Sequence, residues 1–359
     1  MKRPSSGLIA LALAAVFCAG FAATPAHASV TDSIQHLQKK HKISKRKARQ
    51  ALAAYDLARD VKKKLKGKKR AARRKALAWQ IHNVERYARR GQLNADRVTP
   101  LFVTLKNNAN WFKDNEPRAA GTDRRFGSSR IIFQYFAGTG WQFHPLSNFA
   151  RLNAVWTIND KPSNRALRAF SRELVRWGVH RGKGLVWEYY FGFSGAKAPF
   201  ISSISQGTAI QSLARVGYRM HNRSVTRAAV KGSLAFNTPA SRGLRLRRDH
   251  GYHYLGYSTL PKKIILNMFL QSIDAIHDFA LITNNRKGRW LYTQGVEAAK
   301  VEVPKFDTGS WSLYSLDGEK DDVHYHELTI TFLDKLCKDT KEAVFCDTRD
   351  KFQSYLDKK

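Results

Sequence analysis

The side chains that could do chemistry in this sequence are tyrosines placed beside turns. Tyr314 lies on a short predicted extended piece, Trp311–Leu316, and Tyr325 follows at a predicted helix start. Tyr257 directly precedes another predicted helix. A phenol can transfer a proton in catalysis when its surroundings adjust its pKa, which is normally about 10. From the residues alone, each tyrosine is equally well read as a half-buried core residue whose hydroxyl finds a partner.

Five short motifs follow one another in a definite order along the chain. They are an S-x-x-x-Q-G-x-A-I segment at Ser202–Ile210, Tyr257 ahead of Leu266-Asn267, an F-D-T-G-S segment at Phe306–Ser310, Y-x-L at Tyr314 and Y-H at Tyr325. This order resembles the C-terminal domain of the D-glucuronyl C5-epimerases, over roughly residues 130–356. The resemblance implies that Tyr257, Tyr314 and Tyr325 are catalytic.

The activity implied by this resemblance is epimerisation at C5 of uronic acid residues in an acidic polysaccharide, of the D-glucuronate to L-iduronate type. A proton α to a carboxylate is removed and another is returned on the opposite face, which requires an acceptor and a donor on opposite sides of the sugar. Two tyrosines can do this if a cationic environment lowers the phenol pKa. The same positive field would stabilise the charge that develops on the substrate carboxylate.

Two positions depart from the pattern of that family. Gly256 stands where members have an acidic residue, and Asp317 stands where animal members have an arginine. These differences keep two alternatives open. One is a non-catalytic protein that binds envelope polysaccharide, and the other is a uronate polysaccharide lyase, which begins with the same proton abstraction but expels the group at C4.

Further polar residues are candidates for holding the substrate. They come from the aromatic-rich segment, from the helix that follows it and from the motifs above, and several could equally have capping or surface roles. We predict the following substrate-binding residues: Gln134, His144, Arg151, Glu188, Gln206 and Asp307.

The elements that must position these residues are mostly helices. Apolar residues recur at helical spacing in four successive pairs of segments, and strand-like pieces are few, at Gly184–Phe193 and Trp311–Leu316. The sequence therefore predicts a predominantly all-α fold, an open or incomplete (α/α) toroid of about four helical hairpins. The predicted pairs are Asn148–Ile158 with Arg165–Val179, Ser205–Met220 with Val225–Phe236, Lys262–Ile282 with Gly288–Val301, and Val323–Leu336 with Val344–Leu356.

The charge of the chain indicates a polyanionic partner. Its 359 residues contain 63 Lys+Arg and 28 Asp+Glu, a formal net charge of +35. Residues 29–100 are especially basic, and apolar spacing predicts two helices there with a break near Lys66-Gly67-Lys68. Either this is a solvated helical hairpin packed on the main domain or it is an electrostatic collar that holds an acidic chain. We expect domains at 1–28, 29–118 and 119–359.

The N-terminal residues predict export. Residues 1–28 have the basic start, the apolar stretch and the Ala26-x-Ala28 site typical of a signal peptide. An uncleaved anchor is the alternative, and no later stretch is apolar enough to span a membrane. Export favours a polysaccharide over nucleic acid as the partner. It also favours a disulfide between Cys337 and Cys346.

No metal or cofactor is predicted. The densest histidine grouping, His324 and His326, has an i, i+2 spacing that points the two rings to different faces of a helix. The sequence leaves open whether the chain forms a homodimer.

Overall fold

The basic N-terminal segment folds into four helices. The computed structural model describes residues 28–358, so almost all of the predicted signal peptide lies outside the described residues. Ser29, Ser44 and Asn94 cap three of the helices by accepting a backbone N–H with their side chains. The predicted break at Gly67 is confirmed, but two helices were too few. The four are α1 (Val30–Lys39), α2 (Lys45–Lys64), α3 (Ala71–Arg89) and α4 (Ala95–Asp114).

Short antiparallel strands connect this segment to the helices that follow. The first three form one sheet in the order β1-β2-β3, and the others form two hairpins. Of the two predicted strand regions, Gly184–Phe193 contains one short strand and Trp311–Leu316 makes only isolated bridges. The strands are β1 (Asp123–Arg125), β2 (Ile132–Phe136), β3 (Gly140–Phe143), β4 (Val179–Arg181), β5 (Gly184–Val186), β6 (Arg245–Arg248) and β7 (Gly251–Tyr254).

The four predicted helical pairs are present. One boundary differs in a way that matters for the site, because the third pair begins at Leu266 and not at Lys262. The helices are α5 (Pro145–Ile158), α6 (Lys161–Arg176), α7 (Ser203–Arg219), α8 (Arg223–Ser233), α9 (Leu266–Thr283), α10 (Arg286–Glu302), α11 (Val323–Thr340) and α12 (Ala343–Asp357).

The first helices of the four pairs form a row. α5 packs on α7, α7 on α9 and α9 on α11, while α6, α8, α10 and α12 pack on the outside of their own partners. Within the described residues, α5 and α11 make no extensive contact, so the row stays open. The chain therefore has the predominantly all-α fold that the sequence predicts. None of its described helices has the length and apolar content needed to cross a membrane.

The N-terminal helices share one hydrophobic core with these pairs. Buried polar side chains of α3 also reach across to the rest of the chain. Asn83 donates to the backbone carbonyl of Tyr190 at 2.9 Å, and Gln80 donates to that of Thr139 at 2.6 Å. The N-terminal segment is thus packed against the following region by specific contacts as well as by apolar area.

A buried carboxylate forms the strongest electrostatic contact between these parts. Glu188, fully buried, accepts two hydrogen bonds of 2.8 Å from Arg97 at the start of α4. Its Oε1 lies 2.7 Å from Nη2 of Arg181 in β4. Burial by itself would raise the pKa of Glu188, but the hydrogen bonds and charges of the two arginines outweigh burial and lower the pKa.

The predicted disulfide is present. Cys337 in α11 and Cys346 in α12 are bonded, with their Cα atoms 4.9 Å apart. The two helices form the last pair of the row, so the bond joins them close to the turn that connects them.

Replacing Glu188 should strongly destabilise the protein. Glu188→Gln leaves two buried guanidinium groups without a counter-charge, which typically costs about 3–5 kcal/mol in the free energy of unfolding. Urea unfolding at pH 7 measures this loss. Glu297→Gln is the matched control, because Glu297 pairs with Lys300 at 3.7 Å on an exposed helix face; its cost should stay below about 1 kcal/mol. Equal effects of the two substitutions would contradict the assigned role of Glu188.

Acid sensitivity should come partly from His144. Burial lowers the pKa of His144 to about 4. Below about pH 6.5, this histidine therefore binds a proton in the unfolded chain but not in the folded chain. The contribution of neutral His144 to stability is fully present above about pH 6.5 and is lost as the pH falls toward 4. His144→Asn, which keeps a capping side chain, should reduce the loss between pH 7.5 and 5 by about 2 kcal/mol. Urea titrations at both pH values measure this difference, and replacing the exposed His82 serves as the control.

Candidate active site

Three tyrosines from separate parts of the chain meet at the surface end of a small aromatic cluster. The rings of Tyr314 and Tyr325 have centroids 5.2 Å apart. Tyr257 is close enough to both that their charges would influence one another. Exposure increases across the group, because Tyr257 is 5% exposed and Tyr325 is 37% exposed. The cluster can therefore be reached from solvent on the side of Tyr325.

The backbone around Tyr314 fixes its position through short pairings. The N–H of Tyr314 donates to the carbonyl of Glu319 at 2.7 Å, which closes a tight turn. On the other side, the carbonyl of Tyr314 accepts the N–H of Leu266 at 3.1 Å. Tyr314 is thus held between its own turn and the first residue of α9.

Tyr325 is positioned by the start of α11. The side chain of Asp322 caps this helix and accepts the N–H of Tyr325 at 2.8 Å. The neighbouring His326 is buried, stacks on Trp311 at 3.8 Å and contacts the carbonyl of Phe352 through Nε2 at 2.9 Å. These contacts fix the first turn of α11 and with it the direction of Tyr325.

A serine joins this histidine to a buried carboxylate. The hydroxyl of Ser312 donates to Asp321 at 2.5 Å and lies 2.6 Å from Nδ1 of His326. Burial raises the pKa of Asp321 to about 6, although the hydrogen bond from Ser312 opposes the rise. Asp321 also lines a cleft of about 650 Å³ with Trp311 and Lys320.

Lys263 brings a positive charge close to Tyr314 and Tyr257. Its Nζ lies 5.9 Å from the centroid of the Tyr314 ring. It forms ion pairs with Glu319 at 2.7 Å and with Asp317 at 3.7 Å. Two backbone turns, from Tyr257 to Leu260 and from Leu260 to Lys263, fold this lysine back toward Tyr257.

The phenols of Tyr257 and Tyr314 are stabilised in their protonated form, because the pKa of each is raised. Burial raises the pKa of Tyr257, and the hydrogen bond with Ser194 and the charge of Lys263 only partly oppose it. Burial also raises the pKa of Tyr314, to which Tyr257, Tyr325 and Glu319 add. The nearby charge of Lys263 therefore does not by itself lower the pKa of Tyr257 below its usual range. Tyr257 and Tyr314 are both suited to donate a proton.

The six residues predicted to bind substrate do not join the tyrosine cluster. His144 comes nearest, since its ring lies 6.3 Å from Phe193, which in turn lies 6.3 Å from Tyr257. His144 is buried, however, and caps α5 by accepting the N–H of Ser147 through Nδ1 at 3.2 Å.

Glu188, Gln206 and Asp307 have partners of their own. Glu188 is held by its two arginines, as described above. Gln206 is buried and donates to the carbonyls of Leu185 at 2.9 Å and Gly232 at 3.0 Å. Asp307 accepts the N–H of Gly309 at 2.8 Å, which stabilises the turn before Trp311, and the hydroxyl of Tyr355 at 3.0 Å.

The remaining two predicted residues lie near the first sheet. Gln134 on β2 donates to Asp123 on β1 at 3.3 Å. Arg151 on α5 is exposed and lines a separate cleft of about 340 Å³ together with Arg125 and Arg130.

Lys263 and Ser194 are site residues that the sequence did not single out. The sequence pattern placed Lys263 inside a helix predicted to begin at Lys262. In the structure, Lys263 lies in the turn before α9, which begins at Leu266. Pro261, directly after Leu260, was the available signal that the helix starts later. Among the described residues, no group of three or more His, Cys, Asp or Glu side chains is arranged to hold a metal ion.

A side chain at the residue before Tyr257 would press on apolar side chains, which would have to move. A Cβ on Gly256 would lie 2.9 Å from Sδ of Met268 and 3.1 Å from Cδ1 of Ile265. Both neighbours belong to the start of α9 and the residue just before it. The space that an acidic residue would need at this position is therefore filled by apolar atoms.

Comparison with known proteins identifies the part of the chain that carries the cluster. Residues 181–354 match the family model of the D-glucuronyl C5-epimerase C-terminus. A D-glucuronyl C5-epimerase of Caenorhabditis elegans is 26% identical over 174 residues, which cover 43% of this chain and 28% of the worm protein. An uncharacterised protein of Methanocaldococcus jannaschii is 29% identical over 99 residues, which cover 26% of this chain and 32% of that protein.

Among solved structures, the crystal structure of a D-mannose isomerase matches 58% of each chain with 13% identity and a TM-score of 0.43. The chain spans about a third or less of the length of the curated relatives it matches. Tyr257, Tyr314, Tyr325 and Lys263 all lie within the segment that the family model covers. Residues 181–354 of this chain therefore form a segment of the D-glucuronyl C5-epimerase C-terminus type.

Proposed function

We propose that this protein epimerises C5 of uronic acid residues, of the D-glucuronate to L-iduronate type, within an acidic polysaccharide. The observation that carries the proposal is the meeting of Tyr257, Tyr314 and Tyr325 beside Lys263 within the family segment. The strongly positive charge of the chain, +35, is complementary to such a polymer.

Tyr314 and Tyr325 are the proposed pair for proton transfer. One of them, in its phenolate form, takes the C5 proton and becomes a neutral phenol, and the electrons of the C5–H bond move into the adjacent carboxylate. The other returns a proton to C5 on the opposite face, and the configuration inverts. The acceptor then holds a proton and the donor has lost one, so exchange with solvent resets the pair.

The assignment of donor and acceptor follows from burial. Tyr314 is the proposed donor, because burial raises its pKa and keeps its hydroxyl protonated. Tyr325 is the proposed acceptor, since it is the most exposed of the three and can exchange its proton with water. Tyr257, also held protonated by burial, would donate a hydrogen bond to the sugar.

Lys263 is the proposed partner of the substrate carboxylate. It now pairs with Glu319 and Asp317, which are both about half exposed. A bound uronate would compete with these carboxylates for the ammonium group. As charge builds on the substrate carboxylate during proton removal, the ammonium group would stabilise it, which lowers the barrier to abstraction.

A non-catalytic polysaccharide-binding function is the second candidate. It is favoured by Gly256, because apolar atoms of Met268 and Ile265 fill the space that the acidic residue of the family would need. Such a protein would keep the basic surface and the aromatic cluster but would not exchange protons at C5.

Export is part of the proposal. It is supported by the signal-type sequence of residues 1–28 and by the bond between Cys337 and Cys346, because disulfides persist mainly in oxidising compartments. An exported protein would meet acidic polysaccharides of the cell envelope or the surroundings.

The function is tested by incubating the protein with several uronate polymers in heavy water and following C5 by NMR. An epimerase incorporates deuterium at C5, and both configurations appear. A lyase gives an unsaturated product that absorbs in the ultraviolet. Polymer binding without exchange at C5 would leave the binding protein as the correct assignment.

Replacing either tyrosine of the proposed pair should abolish most of the exchange. Tyr314→Phe and Tyr325→Phe keep the ring and remove the ionisable hydroxyl, so each should reduce the C5 exchange rate by roughly 10²–10⁴-fold. Circular dichroism and polymer affinity should remain close to those of the parent. Tyr218→Phe is the matched control, because Tyr218 is 71% exposed on α7. Parental exchange rates in both cluster variants would exclude the proposed mechanism.

A further inference from the structure

A second charged cleft lies where the N-terminal helices meet the family segment. Its volume is about 630 Å³, which is within the roughly 300–1,000 Å³ typical of ligand sites. Gln92 and Arg97 line it from the N-terminal segment. Arg181 and Lys183 line it from the β4–β5 hairpin, and Arg242 lines it from the loop before β6.

The cleft has an excess of positive charge. Arg97 and Arg181 share the single carboxylate of Glu188, so one of their two charges remains uncompensated. Lys183 and Arg242 are exposed, and neither side chain has an ion pair or hydrogen bond within residues 28–358. Four cations and one carboxylate leave a net charge of +3.

The two arginines are held in place before any ligand arrives. Arg97 donates to Glu188 through Nε and Nη2 and to the carbonyl of Gln92 through Nη1 at 2.8 Å. Arg181 donates through Nη1 to the carbonyls of Ser241 at 3.2 Å and Arg242 at 3.3 Å. Each guanidinium has N–H groups left over, and a fixed guanidinium loses little freedom when it binds a carboxylate.

The cleft shares a wall with the tyrosine cluster. Pro199 lines the cleft, and the next residue, Phe200, packs on Tyr257 with ring centroids 5.6 Å apart. Ser241 lines the cleft as well, and its N–H donates to the carbonyl of Ser258, which directly follows Tyr257. One buried ring and one backbone hydrogen bond thus connect the lining of the cleft to Tyr257 and its neighbour.

We propose that this cleft is an accessory subsite that binds a second uronate carboxylate of the same polysaccharide chain, away from the reacting sugar. The inference rests on the proposed function for its choice of ligand. Lys183 and Arg242 would make the direct ion pairs, and Arg97 and Arg181 would supply the remaining donors. The N-terminal segment would thereby contribute to substrate binding.

The test compares short and long oligosaccharides of heparosan, the unsulfated glucuronate–glucosamine polymer. Isothermal titration calorimetry of the full chain at low salt measures the affinity of a disaccharide and of a decasaccharide. In the double variant Lys183→Gln/Arg242→Gln, the affinity for the decasaccharide should fall by roughly five- to twentyfold. The advantage of the long over the short ligand should shrink accordingly, and added salt should weaken the parent more than the variant.

Arg286→Gln/Lys287→Gln is the matched control. It also removes one arginine and one lysine from exposed positions, at the start of α10, and neither lines the cleft. This control should keep the parental advantage for the decasaccharide. Equal losses in the two double variants would overturn the subsite, because they would reduce it to a general effect of net charge.

The subsite and the epimerase function can fail independently of each other in these experiments. C5 exchange with unchanged decasaccharide affinity in Lys183→Gln/Arg242→Gln would overturn the subsite and leave the epimerase. In another outcome, the parent binds the long ligand more tightly, the variant loses this advantage, and the parent shows no exchange at C5. That outcome would support the subsite and exclude the epimerase function. A parent that binds neither oligosaccharide would overturn the inference as stated.

Discussion

The buried carboxylate of Glu188 determines how the N-terminal helices sit against the family segment. It neutralises part of the charge of Arg97 and Arg181, which come from opposite sides of the junction. Taking three charged groups out of water is costly, so this arrangement is stable only because hydrogen bonds satisfy the carboxylate on both oxygens. The same contact orients the β4–β5 hairpin, and the hairpin presents Lys183 to the cleft. The basic segment is therefore packed on the family segment as a structural part of the protein.

At Glu188 the two arginines outweigh the effect of burial on the pKa. At Tyr257 and Tyr314 burial has the larger effect on the pKa. It raises the pKa of Tyr257 and Tyr314 and keeps both protonated, and Lys263 does not reverse this because its charge is shared with Glu319 and Asp317. Asp317, which stands where animal relatives have arginine, thus moderates the positive field at the site. A substrate that displaces these carboxylates would return the full charge of Lys263 to the site at the moment when proton removal needs it.

Local patterns in the sequence were sufficient for the helical pairs and the disulfide, whereas the three tyrosines were singled out by the resemblance to a family. Apolar faces at helical spacing predict α5–α12 because each helix buries one face in the row. The roles of Glu188 and Lys263 could not be predicted in this way. Arg97 is 91 positions from Glu188, and Lys263 reaches Tyr257 only through two successive turns. Strands of three to five residues, such as β1 and β2, have too little alternation to recognise. The contacts of Gly256 with Met268 and Ile265 could not be predicted either, because they depend on how α9 packs.

The central claim is that the hydroxyls of Tyr314 and Tyr325 transfer the C5 protons of a uronate whose carboxylate lies on Lys263. The most direct measurement is a crystal structure of the full chain with a bound glucuronate oligosaccharide. We predict a uronate with the two hydroxyls on opposite faces of C5, within hydrogen-bond reach of about 2.6–3.2 Å from the positions of the transferred protons. Its carboxylate should contact Nζ of Lys263. An oligosaccharide that is bound elsewhere on the protein, with all three tyrosines free of contact, would contradict the account.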